Sequence, residues 1–317
     1  MTLPVRFSST QIELLPGVPL YVYALRGDHS SAIVDTGIRA MRDAVLDLCE
    51  RASSDTVPSS HSVPSSHSVP SSNAAPLAWV LTTHLHADHI GNHRAVRERF
   101  DAKIACGGNA AWLEDLNVHY REFCLPELIA ETPGQRDEIL GLMDGPTVVD
   151  LALSEGSLVR LGGVNLEVIP FPGHKLEEIG FLERESGTLV VGDVLLALDA
   201  PFFHGFDTAL GFRASLRRLE ALIEAGTARC VLSSHHRPLE AEGAIQAVAD
   251  TRRFLDDVEE ATLEVASGVD FEVLWRSVSV RLSKDADFRG YAMLRSQVSE
   301  LETAGRLCVQ AGRIERS

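Results

Sequence analysis

Residues Trp79-Val80-Leu81-Thr82-Thr83 run straight into His84-Leu85-His86-Ala87-Asp88-His89, an apolar strand-forming stretch that ends in three histidines and an aspartate. A loop at a strand end is held by a rigid scaffold yet open to a cleft, the usual placement for chemistry. Imidazole nitrogen and carboxylate oxygen suit Zn, Fe or Mn, and no thiolate is needed. His84 and His86 are two positions apart, so in an extended turn both rings face one side. Asp88 and His89 follow after the chain has turned and can reach a second ion. Ala87 and Gly91 are small enough for the backbone to fold tightly there. Isolated histidines arise readily by chance, but this density at a strand end does not.

Six loop residues cannot fill two coordination shells, so more donors are expected downstream. Three pieces follow in order, each at an expected strand end: Pro172-Gly173-His174 after Val164 to Phe171, Gly192-Asp193 after Thr188 to Val191, and Ser233-Ser234-His235-His236 after Cys230 to Leu232. Each is weak alone, and their common position gives them weight.

The elements around them alternate in two batches. Leu20 to Ala24 and Ser31 to Val34 read as strands, the latter entering Asp35-Thr36-Gly37, and a helix follows from about Arg39 with Met41, Val45 and Leu48 on one face. Leu77 to Leu81 reads as a buried strand, with a helix through Arg94-Ala95-Val96 after the histidines. The second batch comprises Leu158 to Leu161, Val164 to Phe171, Ile179 to Glu183 and Thr188 to Val191. A helix bearing Phe212, Leu216, Leu219 and Ile223 then precedes Cys230 to Leu232. The class is α/β, and a two-sheet sandwich flanked by helices fits the order.

Two segments depart from this pattern. Val57-Pro58-Ser59-Ser60-His61-Ser62 recurs from Val63 and begins again at Val69, so 57–72 is expected to be a disordered insert with too few apolar groups to offset ordering entropy. His119 to Pro146 is acidic and reads as a mostly helical surface excursion. Beyond Ala244 the chain turns mostly helical. Its stripes, Phe254, Val258, Ala261 and Val265, then Tyr291, Leu294, Val298 and Leu301, read as core packing. Ala304-Gly305-Arg306-Leu307 reads as a helix stop before a short strand. The expected division is 1–245 for the main domain and 246–317 for a helical capping or winged-helix-like region.

The formal net charge of -16, from 29 basic and 45 acidic residues, disfavours attraction to nucleic acid or anionic membranes. No apolar stretch is long enough to span a bilayer, and the N-terminal segment lacks a secretory pattern. The five cysteines (Cys49, Cys106, Cys124, Cys230, Cys308) are scattered and odd in number, suggesting neither a disulfide framework nor a thiolate site. A reducing cytoplasm is the expected location.

The order His-x-His-x-Asp-His, lone His, Gly-Asp, final His resembles the metallo-β-lactamase superfamily over roughly residues 11 to 245. The resemblance implies an αββα sandwich and a dinuclear site for two divalent ions, Zn or Fe, with Mn also compatible. It implies that His84, His86 and His174 hold one ion, that Asp88, His89 and His235 hold the other, and that Asp193 bridges them. His235 aligns with the family's final histidine better than His236. Asp35 matches the family's structural aspartate, which supports the first loop from behind. Lys175-Leu176-Glu177-Glu178 replaces the frequent Thr-Pro-Gly, and Ser-Ser-His-His replaces Pro-Gly-His-Gly, so the cleft rim is reshaped.

The implied mechanism is hydrolysis by a bridging hydroxide, with Asp88 or Asp193 moving the proton. The helical tail and complete ligand set resemble glyoxalase II-like members and the quinolone-signal-response thioesterases (PqsE-like proteins). A small acyl thioester, of acyl-CoA type, is therefore the expected substrate, with lactone or phosphodiester hydrolysis as an alternative. A regulatory binding protein that retains the metal site is a third reading. Phe202, Phe203, His204 and His236 are candidate substrate-facing residues, although packing explains the aromatics equally well. A small acyl molecule is the expected partner, and a homodimer is compatible with the chain.

Overall fold

The computed structural model describes residues 3–4, 6–54, 74–108, 111–118 and 135–317. The repeat at 57–72, most of the excursion from His119 to Pro146, and Cys124 lie outside the described residues.

Two six-stranded sheets form the centre. The first runs in chain order: β1 (Phe7–Leu15), β2 (Val18–Arg26), β3 (Ser31–Val34), β4 (Leu77–Thr82), β5 (Lys103–Cys106) and β6 (Leu151–Ala152). Pairing is antiparallel through β3 and parallel from β3 to β6. Parallel neighbours need crossovers, and helices supply them. α1 (Arg42–Ser53) links β3 to β4, while α2 (Ala87–Ile90) and α3 (His93–Phe100) link β4 to β5. α1 buries Val45, Leu48, Cys49 and Ala52, an i, i+3, i+4, i+7 stripe laid on the sheet. Two short helices follow, α4 (Ala111–Glu114) and α5 (Gln135–Gly141).

The second sheet contains β7 (Leu158–Arg160), β8 (Asn165–Pro170), β9 (Ile179–Glu183), β10 (Thr188–Val190), β11 (Cys230–Leu232) and β12 (Leu239–Glu240), paired in that order. Its one parallel pair, β10 with β11, is crossed by α6 (Ala209–Glu224). Strand periodicity sorts the side chains into layers. Val34, Leu81, Leu166, Val168, Phe181, Val190 and Leu232 share the core between the sheets. Val80 and Ile104 pack under α1. Ile169, Leu189 and Val231 pack under α6. The result is the expected α–β–β–α layering.

The tail is α7 (Ala241–Val265), β13 (Ser267–Val269), α8 (Phe271–Arg281), α9 (Phe288–Thr303), β14 (Leu307–Gln310) and β15 (Arg313–Arg316). Sequence periodicity predicts the helices and the strand after Gly305. The three-stranded sheet β13-β15-β14 goes beyond that reading. The expected boundary at 245 falls inside α7. One buried cluster joins Val248, Leu255, Val258, Leu294 and Leu301 to Phe212, Leu216 and Val231. The tail thus completes the core on the outer face of the second sheet.

Candidate metal centre

β4 delivers His84 to the sheet edge, and the turn after it starts α2, which carries Asp88 and His89. The loops after β8 and β10 bring up His174 and Asp193, and the loop after β11 brings His235. Donor atoms of His84, His86, His174 and Asp193 form one group, and those of Asp88, His89 and His235 another, all within 4.8 Å inside each group. His86 Nδ1 lies 3.2 Å from His84 Nε2 and 3.0 Å from His174 Nε2. Asp193 Oδ2 is 3.5 Å from His174 Nε2 and 3.4 Å from His235 Nε2, while its Oδ1 is 3.5 Å from His89 Nε2. Two donors about 2.1 Å from one ion lie roughly 3 to 3.4 Å apart, close to these spacings, so each group could hold an ion. Asp193 stands between the groups: its Oδ2 faces both His174 and His235, and its Oδ1 faces His89.

Backbone and side-chain acceptors set the ring tautomers. His174 Nδ1 donates to Gly205 O at 2.6 Å, and His235 Nδ1 donates to Pro19 O at 2.8 Å. His89 Nδ1 donates to Asp35 Oδ2 at 2.9 Å. Since each acceptor lacks a proton, the nitrogen facing it must carry one, so in the neutral ring Nε2 is the lone pair aimed at the centre. Asp35 also accepts from Thr83 N and Thr83 Oγ1, both at 2.8 Å. Its φ of 58° lies in the left-handed region, a backbone strain held by these three bonds.

His89 Nε2, His235 Nε2 and Asp193 Oδ1 are buried without a hydrogen-bond partner among the described residues. Orphans of this kind normally cost about 1–3 kcal/mol each, and a cation at the convergence point would satisfy all three. Charge states divide the donor set. Burial holds His84, His86 and His174 below the ordinary histidine range, most strongly for the first two, so they stay neutral. Burial opposes ionisation of Asp193, but the facing His235 and His89 outweigh it and keep the carboxyl well below the usual range. Burial likewise disfavours protonation of His89 and His235, yet the surrounding carboxylates raise both, since anionic charge outweighs cationic charge on that side. Divalent ions bind neutral imidazoles and ionised carboxylates, so an ion at the second group would displace the protons that the carboxylates favour on His89 and His235.

The centre forms the floor of a cavity of about 500 Å³. Its walls include Leu14 and Leu15 of the first hairpin, Ile38, Ile139, Phe202, Phe206, and Phe288, Arg289 and Met293 of α9. Phe202 and Phe203 both line it, as does His204, so three of the candidate substrate-facing residues reach the cavity. His236 does something else: its Nε2 donates to Leu196 O at 3.1 Å, which commits the ring to its own loop.

Several contributors were not read from the sequence. Glu178 accepts from Asp193 N at 2.7 Å and its Oε1 lies 3.9 Å from His84 Nδ1. Burial first, and then Asp193, push its carboxyl well above the usual range, so it stands behind both residues as a neutral group. A Cβ on Gly192 would come within 2.6 Å of Thr83 Oγ1 and 2.8 Å of Glu178 Oε1, so only glycine fits between them. The signal was present in the unusual Glu177-Glu178 pair beside a buried strand. His93 bonds Thr36 Oγ1 at 2.8 Å and Thr82 Oγ1 at 2.7 Å, which spends both ring nitrogens on structure. Arg289, lying over the Phe202 ring at 3.6 Å, carried no sequence signal at all.

The family model described as "Metallo-beta-lactamase superfamily" matches residues 15–235. A hydroxyacylglutathione hydrolase of Cereibacter sphaeroides is 33% identical over 147 residues, covering 46% of this chain and 44% of that protein. An acyl-coenzyme A thioesterase (MBLAC2) of Gallus gallus is 26% identical over 178 residues, 51% of this chain and 57% of that one. The chain thus spans about half the length of these relatives. A metallo-beta-lactamase family protein of Thermus thermophilus superposes with a TM-score of 0.70 at 21% identity, covering 98% and 99% of the two chains. A beta-lactamase domain protein of Burkholderia ambifaria gives 0.70 at 19% identity, covering 100% of this chain and 94% of that one. These likenesses extend the shared fold through the tail.

Proposed function

The chain belongs to the metallo-beta-lactamase superfamily, and on that premise we propose that it is a two-metal hydrolase of small acyl thioesters. The observation that carries this reading is the pair of donor groups sharing Asp193 at the floor of a largely apolar cavity. His84, His86 and His174 would hold one ion and Asp88, His89 and His235 the other, with Asp193 between them and Zn or Fe best suited to the nitrogen-rich set. When bound, such ions would lower the pKa of a coordinated water to about 7 and polarise an acyl oxygen.

The protein's own groups supply the rest. Asp88 is only partly buried and lines the cavity, so it can accept a proton from water and pass it to a departing thiolate. Phe202, Phe206 and Met293 offer an apolar wall to an acyl chain, and exclude water from its carbonyl. The named activities of the two relatives, on hydroxyacylglutathione and acyl-coenzyme A, both concern thioesters, which favours that bond over a lactone or phosphodiester.

The test is thiol release from a panel of acyl-CoA and acyl-glutathione thioesters by metal-loaded protein, run beside acyl-homoserine lactones and bis-p-nitrophenyl phosphate. Metal-dependent thiol release faster than turnover of the other two classes is expected. Faster turnover of either of those classes, or no thiol released by protein carrying two ions, refutes the thioester reading.

A further inference from the structure

His204 bears the same signature as the ligand atoms, though neither residue spacing nor the family pattern assigns it to the metal. Its side chain is 9% exposed and its Nδ1 stands 3.7 Å from Asp193 Oδ2. That nitrogen is buried without a hydrogen-bond partner among the described residues, in company with His89 Nε2, His235 Nε2 and Asp193 Oδ1. Donor atoms of Asp193, His204 and His235 lie within 4.8 Å of one another.

The ring is held firmly in this pose. It stacks on Phe202 with centroids 5.7 Å apart and planes at 11°, and meets His235 edge-on at 4.8 Å and 90°. Its loop is fixed at Asp207, whose N–H donates to Gly173 O at 2.9 Å and whose carbonyl accepts from the Ser296 hydroxyl of α9. A packing residue at this place would be better apolar, because an orphaned buried nitrogen costs about 1–3 kcal/mol. A residue serving only substrate would turn its free nitrogen to the open cavity, whereas Nδ1 is buried toward Asp193.

We propose that His204 Nδ1 is a further protein ligand of the second ion, beside Asp88, His89 and His235. This rests on the two-ion reading above. The ligand class is a borderline divalent cation such as Zn, Fe(II) or Co(II), for which imidazole is a favoured donor. The second site is then richer in protein donors than the first. The His84–His86–His174 site would then have fewer protein donors and more room for a substrate oxygen. The ligand also ties the second site to the tail, through the loop that α9 holds.

The experiment is Co(II) titration of chelator-stripped full-length protein, followed by visible absorption and metal analysis, with three proteins compared. His204→Phe keeps the stack on Phe202 but removes the donor. His204→Cys supplies a different one. The wild type is expected to take up two ions. His204→Phe should bind the second at least about tenfold more weakly, the loss that even an outer partner of a ligand produces, with changed visible bands. His204→Cys should recover binding and show the intense near-ultraviolet thiolate-to-cobalt absorption that arises only if residue 204 touches the ion. Unchanged second-ion affinity in His204→Phe, or a Cys variant that binds two ions without that absorption, overturns the assignment. A wild type that binds fewer than two ions overturns this inference together with the two-metal reading. Wild-type uptake of two ions without thiol release from thioesters refutes the thioester reading alone.

Discussion

Replacing Asp35 by asparagine alters one charge and almost no volume, yet it is expected to weaken the metal centre. Asp35 accepts three bonds, from Thr83 N at 2.8 Å, Thr83 Oγ1 at 2.8 Å and His89 Nδ1 at 2.9 Å. An amide offers only one acceptor oxygen. If that oxygen stays on Thr83 N, the NH2 group faces His89, whose Nδ1 must then give up its proton and protonate Nε2. If the amide flips, its NH2 group meets the Thr83 N–H instead. The first arrangement costs the charge-assisted bond and a tautomer change, and the second sets one donor against another, about 1–3 kcal/mol in either case. His89 protonated on Nε2 cannot coordinate, so affinity for the second ion should fall about 10- to 100-fold, as for other partners that orient a ligand. Urea denaturation of the stripped protein reads the first quantity, and competitive metal titration of the folded protein reads the second. A variant that loses stability but binds both ions with wild-type affinity would refute the tautomer reasoning.

The pH dependence of stability should carry the mark of His93. Burial, reinforced by His89, pushes its imidazole down to about 3, so below about pH 6.5 the unfolded chain binds a proton the folded chain refuses. The associated stability, on the order of 4–5 kcal/mol, is complete above pH 6.5 and lost as pH falls toward 3. His93→Gln should flatten that slope in denaturation series of the stripped protein, and an unchanged slope would remove His93 from the account. At Gly290 an added Cβ would come 2.5 Å from the Phe203 ring, so Gly290→Ala should cost about 1–3 kcal/mol and raise KM through the displaced cavity wall; wild-type stability and KM together would contradict the packing. Chelation should lower the melting temperature and added Zn restore it in proportion to the logarithm of free metal, whereas a metal-independent melting temperature would deny that the folded donor cluster binds ions.

The donors were readable because they are concentrated at strand ends, where a short apolar run and an abrupt polar cluster mark the boundary locally. What residue type and spacing could not separate, and the family resemblance did for His235 alone, were residues of one type with different tertiary partners. His235 and His236 are neighbours, and what distinguishes them is a carbonyl from Pro19 against one from Leu196. His93 follows the motif closely, yet Thr36 and Thr82 claim both its nitrogens. The tail's helical stripes, Phe254, Val258 and Ala261 among them, were legible as apolar periodicity. Their docking surface on Phe212 and Leu216 was not, because it depends on the crossover geometry of α6. Ser267–Val269 has no alternation strong enough to announce a strand.

The cavity shows why a local reading finds the chemistry sooner than the specificity. Its floor comes from loops at the ends of the central strands, but its walls join Leu14 to Phe288 and Ile139 to Met293, pairs far apart in the chain. The loop after Phe202 is the physical link between these parts. Gly205 O fixes His174 at 2.6 Å, Asp207 N reaches back to Gly173 O at 2.9 Å, and Glu300 of α9 accepts from the Thr208 hydroxyl. A shift of α9 therefore cannot reshape the wall alone, since the same loop sets the tautomer and position of His174 and presents His204. Pocket shape and the placement of the donor side chains are mechanically one unit here, and the tail that His84 to His89 gave no hint of belongs to both.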